Sequence, residues 1–114
     1  MRINRRFFTL LLAAILFSSC SILPGLVSNA QNEFDQGLVL FNGGRYQEAV
    51  MRFQKAAELD PNFGRAYLYL GRTYVNLKSW RQAIDPLRTA YRLIPEDTKG
   101  EVLSILVEIG RAHV

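Results

Sequence analysis

Between residues 30 and 97 the apolar positions of this chain recur at steps of three and four, in stretches separated by Gly, Asn, Ser and Pro. That spacing puts one apolar stripe on each of a series of amphipathic helices. In the helix predicted to begin near Arg65 the stripe is Tyr67, Leu70, Tyr74 and Leu77, with Gly71 beside it. A glycine inside a helix costs about 1 kcal/mol relative to alanine, so this one predicts a close approach by another helix. The following helix offers Ala83 and Ala90 as the opposing small surface, with Ile84, Leu87 and Leu93 filling the layer around them.

The same pattern is written twice. Residues 30–63 and 64–97 are consecutive 34-residue copies that align Gly37 with Gly71, Asn42 with Asn76, Ala49 with Ala83, Ala56 with Ala90, Leu59 with Leu93 and Pro61 with Pro95. Bulky positions also match: Leu40 with Tyr74, Tyr46 with Trp80, Val50 with Ile84, Phe53 with Leu87. Each copy therefore reads as two antiparallel helices, and a fixed period of this length predicts stacked repeats. Gly43-Gly44 ends the first helix of copy one, where positive φ is often needed. Copy two has Lys78-Ser79 instead, and Ser79-x-x-Gln82 predicts a capping box in which the serine accepts from the Gln82 N–H. Asp60-Pro61-Asn62 and Ile94-Pro95 close the copies, and Pro86 predicts a mild kink or a relaxed first turn.

On these residues the chain resembles the tetratricopeptide repeat family, whose 34-residue helix-turn-helix carries large and small residues at fixed phases. Copy two has Tyr67, Leu70, Gly71, Tyr74, Ala83, Leu87, Ala90 and Pro95 at all eight. Copy one has Gly37, Leu40, Ala49, Phe53, Ala56 and Pro61, but Glu33 and Gln36 stand where an aromatic residue and a leucine are preferred. Polar residues on the outer edge of a first repeat read as capping, because no neighbour covers them. The resemblance implies an all-α solenoid with repeats over 31–63 and 64–97. It also implies a groove, lined by the first helix of each repeat, that receives an extended or helical peptide. By phase the groove residues are Phe34, Leu38, Phe41 and Asn42 from copy one, and Arg65, Leu68, Arg72, Val75 and Asn76 from copy two.

Residues 98–114 predict a C-terminal capping helix rather than a truncated third repeat. Val102, Leu103, Leu106 and Ile109 form its apolar stripe, and Ile105 stands where a repeat would place glycine. Its start is expected at a Thr98-x-x-Glu101 capping box or at Asp97.

The first 30 residues predict a secretory signal peptide. Arg2, Arg5 and Arg6 precede an apolar run from Phe7 to Phe17 broken only by Thr9, and Pro24-Gly25 precedes the small-x-small site Ser28-Asn29-Ala30. Cleavage after Ala30 would give a soluble exported chain, periplasmic or secreted. Ser18-Ser19-Cys20 resembles a bacterial lipobox, and processing there would instead leave a membrane-anchored lipoprotein lipidated at Cys20. An uncleaved anchor is a third reading, with an apolar stretch marginal for a span.

Processing changes what the charge means. The chain has 14 basic and 10 acidic residues, and three of the basic ones are the leader arginines, so residues 31–114 carry 11 against 10. That balance argues against a nucleic-acid footprint. Catalysis and metal binding find no donor set: Cys20 is the only cysteine and His113, beside the C-terminus, the only histidine. The sequence thus predicts a non-enzyme without cofactor or metal that binds another protein or peptide. Arg65 and Arg72, seven residues apart on one helix face, are candidates to pair with its carboxylates. A lipid-anchored envelope assembly factor and a self-associating homo-oligomer are the alternative readings.

Overall fold

The computed structural model describes residues 29–112, all of whose regular elements are helices. The candidate signal peptide up to Ser28, the candidate lipidation site Cys20 and His113 lie outside these residues, whereas Asn29 and Ala30 of the candidate cleavage site lie within them. The helices are α1 (Ala30–Asn42), α2 (Tyr46–Leu59), α3 (Gly64–Asn76), α4 (Trp80–Leu93) and α5 (Glu96–Ala112). Contacts are densest within the hairpins α1/α2 and α3/α4, and α2 packs on α3 to stack one hairpin on the next. This is the all-α helical-repeat solenoid expected from the 34-residue period, ended by a single helix.

The two hairpins turn by the same bonds, 34 residues apart. Gly43, Gly44 and Arg45 N–H groups donate to Val39, Phe41 and Leu40 carbonyls, and Leu77, Lys78 and Ser79 donate to Thr73, Val75 and Tyr74. The closure demands a left-handed residue at its centre, which Gly44 supplies at φ 74° and Lys78 at φ 61°. Ser79 makes no side-chain cap bond; at ψ 64° it lacks the extended backbone of a capping residue, so the expected capping box is not formed. Asn29 is extended (φ −105°, ψ 161°), and its side-chain oxygen accepts from the Asn32 N–H at 2.7 Å. It caps α1.

Two apolar clusters form the core. Phe34, Ala49, Phe53, Ala56, Ala57, Ala66 and Leu70 fill the space from the first hairpin to α3. Leu68, Ala83, Leu87, Ala90, Ile94, Val102 and Ile109 fill that from α3 and α4 to α5. Ala49, Phe53, Ala56, Ala83, Leu87 and Ala90 have no exposed surface, as the small and bulky phases require. Leu93, expected in the layer, is instead 36% exposed, and Ile94, the next residue, turns inward in its place. Helix α4 continues through Pro86 without a break.

Two further differences from the sequence reading have simple causes. Glu33 is buried rather than exposed, and Arg52 of α2 reaches over it with Nη1 3.0 Å from Oε2. A polar residue at the outer edge is thus neutralised by its own hairpin instead of by water. Helix α5 starts at Glu96, so Asp97 and Thr98 fall in its first turn, with the Thr98 hydroxyl donating to Asp97 Oδ1 at 3.2 Å. Neither caps it as expected. Only Ile94 and Pro95 separate α4 from α5, whereas Asp60 to Phe63 separate α2 from α3. The shorter link starts α5 two residues earlier than a third repeat would, but Val102 is buried at the phase of Phe34 and Leu68, and Ile109 joins it against the second hairpin.

Candidate functional site

Helix α3 holds the candidate site because its Arg65, Tyr69 and Arg72 follow the three-and-four spacing that puts side chains on one face. That face looks toward α1 on one side and α5 on the other. Phe34, Phe41 and Tyr69 form a ring cluster, with Phe34–Tyr69 centroids 5.5 Å apart and Phe41–Tyr69 centroids 5.6 Å apart, both edge-on. The guanidiniums lie over these rings. Arg65 Cζ is 5.0 Å from the Phe34 centroid, and Arg72 Cζ is 5.1 Å from Tyr69 and 5.8 Å from Phe41. Such a cation–π contact orients the guanidinium while leaving N–H donors at its edge available to an anion.

The arginines differ in their partners. Arg72 Nη1 lies 3.0 Å from Glu101 Oε1 on α5, a bridge whose side chains are 36% and 43% exposed. Among the described residues no carboxylate lies within ion-pair distance of the exposed Arg65. The Arg72–Glu101 pair stands between two clefts. One, of about 280 Å³, is lined by Arg65, Leu68, Tyr69, Arg72, Ile94, Pro95, Thr98 and Glu101. The other, of about 220 Å³, is lined by Arg72, Val75, Asn76, Glu101, Ile105 and Glu108. At the start of α5 the Lys99 ammonium is held above its ordinary pKa, chiefly by its hydrogen bond to Glu96.

The predicted groove residues separate by burial. Arg65, Asn42 and Asn76 are exposed, and Leu38, Phe41, Arg72 and Val75 are half-buried along the face. Phe34 and Leu68 are buried, at 0% and 4% exposure, so they support the face from behind and offer a partner no surface. Asn76 turns back, donating from Nδ2 to the Arg72 carbonyl at 2.9 Å. The sequence reading missed Tyr69, although its place between Arg65 and Arg72 on one face was legible from spacing. It also missed Thr98, Glu101 and Glu108, because repeat phase assigns no groove positions to a capping helix. Among the described residues no group of His, Cys, Asp or Glu could hold a metal ion, and no helix is long and apolar enough to cross a membrane.

Stacked helical hairpins that present a lined face of this kind define a helical-repeat protein-interaction module of the tetratricopeptide type. The chain belongs to the family described as regulator of microtubule dynamics protein 1-3, whose model matches residues 40–105, more than half of its length. It is also similar to the protein O-mannosyl-transferase Tmtc3 of Drosophila melanogaster, at 32% identity over 72 residues. The match covers 63% of this chain and spans only 8% of that relative's length.

Proposed function

We propose that this protein is a non-catalytic adaptor that binds a carboxylate-bearing segment of another protein along the face of α1, α3 and α5. Arg65 anchors the carboxylate, and Leu38 and Phe41 form the apolar half of the groove. The observation that carries this reading is the exposed Arg65 guanidinium, held on the Phe34 ring and without a carboxylate partner among the described residues. Membership of the family supports an interaction module and leaves the partner to experiment. The mannosyl transfer for which Tmtc3 is named is not carried over, since the match covers so little of that protein.

The test is a crosslinked pull-down from native membranes and envelopes with the full chain as bait, comparing wild type with Arg65→Ala/Arg72→Ala. A partner retained by wild type and lost in the double variant supports the groove. Recovery of the same partner by both proteins overturns this site.

Export is part of the proposal, and Asn29 bears on its form. Cleavage after Ala30 would remove the residue that caps α1, whereas processing at Cys20 would keep it. Capping of this kind contributes about 1 kcal/mol. This supports the lipid-anchored reading, with Cys20 as the modified residue. The intact mass of the protein isolated from its source distinguishes the two products.

A further inference from the structure

Beyond the groove of α1, α3 and α5, we propose a second docking surface, the cleft between α4 and α5, which receives an amphipathic helix with acidic flanks from a partner protein. The cleft has a volume of about 640 Å³. Tyr91, Leu103 and Leu106 give it apolar surface, and Asp85, Arg88 and Arg92 line its α4 side. Leu103 is 48% exposed, and Val107, four residues further along α5, is 54% exposed.

The fold accounts for the opening. Helices α1 and α3 each pack extensively against the helix that follows, α2 and α4. Helix α5 has no such partner among the described residues. It buries Val102 and Ile109 against the second hairpin and leaves Leu103 and Val107 exposed on its other side, four residues apart, with half-buried Leu106 packed against the core at the edge between them. A helix lying in this cleft would stand to α5 as α4 stands to α3.

Charge selects the occupant. Arg81, Asp85, Arg88 and Arg92 follow one face of α4 and all are exposed, three cations to one anion. Among the described residues no carboxylate lies within ion-pair distance of Arg88 or Arg92; Arg92 has only a weak contact to the Thr89 hydroxyl, at 3.4 Å. A helix with Glu or Asp flanking an apolar stripe would meet both the leucines and the guanidiniums. The opposite end of the solenoid shows the contrast. There Val39 and Met51 are 74% and 68% exposed, but the neighbouring charges are already paired as Arg45–Glu48 and Arg52–Glu33. That end has no comparable preference for an anion.

The test uses two synthetic helical peptides with the same Leu stripe, one flanked by Glu and the other by Lys, titrated against the full chain by fluorescence anisotropy. The Glu peptide is expected to bind at least tenfold more tightly than the Lys peptide. Arg88→Glu/Arg92→Glu should reverse that order, while Arg45→Ala, at the opposite end of the solenoid, leaves it unchanged. Because the substituted arginines are exposed, circular dichroism should show both variants folded. Equal binding of the two peptides, or a preference that survives Arg88→Glu/Arg92→Glu, overturns the proposal. So does sedimentation showing a dimer that Leu103→Asp dissociates, since a second copy would then be the occupant.

Discussion

The ring of Phe53 occupies the space that a Cβ on Gly37 would need: its Cε1 lies 2.6 Å from that position. Thirty-four residues on, Leu87 stands in the same relation to Gly71, with Cγ at 2.5 Å. The two glycines are thus the contact points at which each hairpin closes. Alanine would improve helix propensity by about 1 kcal/mol, but a methyl group pressed into a filled core costs about 1–3 kcal/mol. Gly37→Ala and Gly71→Ala should therefore each lower stability, by up to about 2 kcal/mol. At Gly100 and Gly110, both in α5, an added Cβ would meet nothing within 4 Å. Alanine at either should raise stability by about 0.5–1 kcal/mol. Urea denaturation of the four variants separates close packing from propensity, and a stabilising Gly71→Ala would refute the packing argument.

Lys78 takes the backbone conformation that Gly44 takes in the first hairpin, at φ 61°. A side chain in that region costs about 1–2 kcal/mol, part of which glycine returns through its greater freedom when unfolded. Lys78 also lies over the Trp80 ring at 5.4 Å, a contact of about 0.5–1 kcal/mol at an exposed site. Lys78→Gly should leave stability within about 1 kcal/mol of wild type, whereas Lys78→Val should lose more than that, because β-branched residues fit φ > 0 least well. Thermal melts of the pair check the order.

Much of this architecture was legible because each hairpin repeats its chemistry. Gly37 and Gly71 marked the close approaches, and Ala49, Ala56, Ala83 and Ala90 marked the surfaces facing them. What the sequence concealed were conformations that do not need their usual residue. Lys78 makes a turn written with glycine in the first copy, and Ser79 has a capping residue's identity without its backbone. Glu33 looked exposed because its ion-pair partner, Arg52, is nineteen residues away on another helix. The groove was half legible for a similar reason. Arg65 and Arg72 could be placed by helical spacing, but Glu101 meets Arg72 from a different helix twenty-nine residues on, and spacing within one helix says nothing of it.

The Asn29 cap predicts a dependence of stability on where the chain begins. Asn29→Ala should cost about 1 kcal/mol by leaving the Asn32 N–H without its side-chain acceptor. A chain beginning at Gln31 loses the same bond and the first residue of α1, so it should be destabilised by a similar amount relative to one beginning at Cys20. Amide exchange should place the loss in the first turn of α1 and leave α4 unchanged. Equal protection of that turn in both chains would remove the structural argument for the longer product.

Glu101 holds one of the two groove arginines, and its removal gives a direct test of how the groove is regulated by α5. The Arg72–Glu101 bridge is partly exposed, so its loss should cost the fold no more than about 1 kcal/mol. The effect on binding should be larger and opposite in sign. With Glu101→Gln, Arg72 keeps its place over Tyr69 and Phe41 but gains donors for an incoming carboxylate, and the negative charge beside the cleft is removed. An acidic peptide should then bind several-fold more tightly than to wild type, with a steeper loss of affinity as salt is raised. Arg72→Ala in the Glu101→Gln background should abolish that gain. If Glu101→Gln instead weakens the acidic peptide, Glu101 is holding Arg72 in its binding position, and the bridge belongs to the site rather than competing with it.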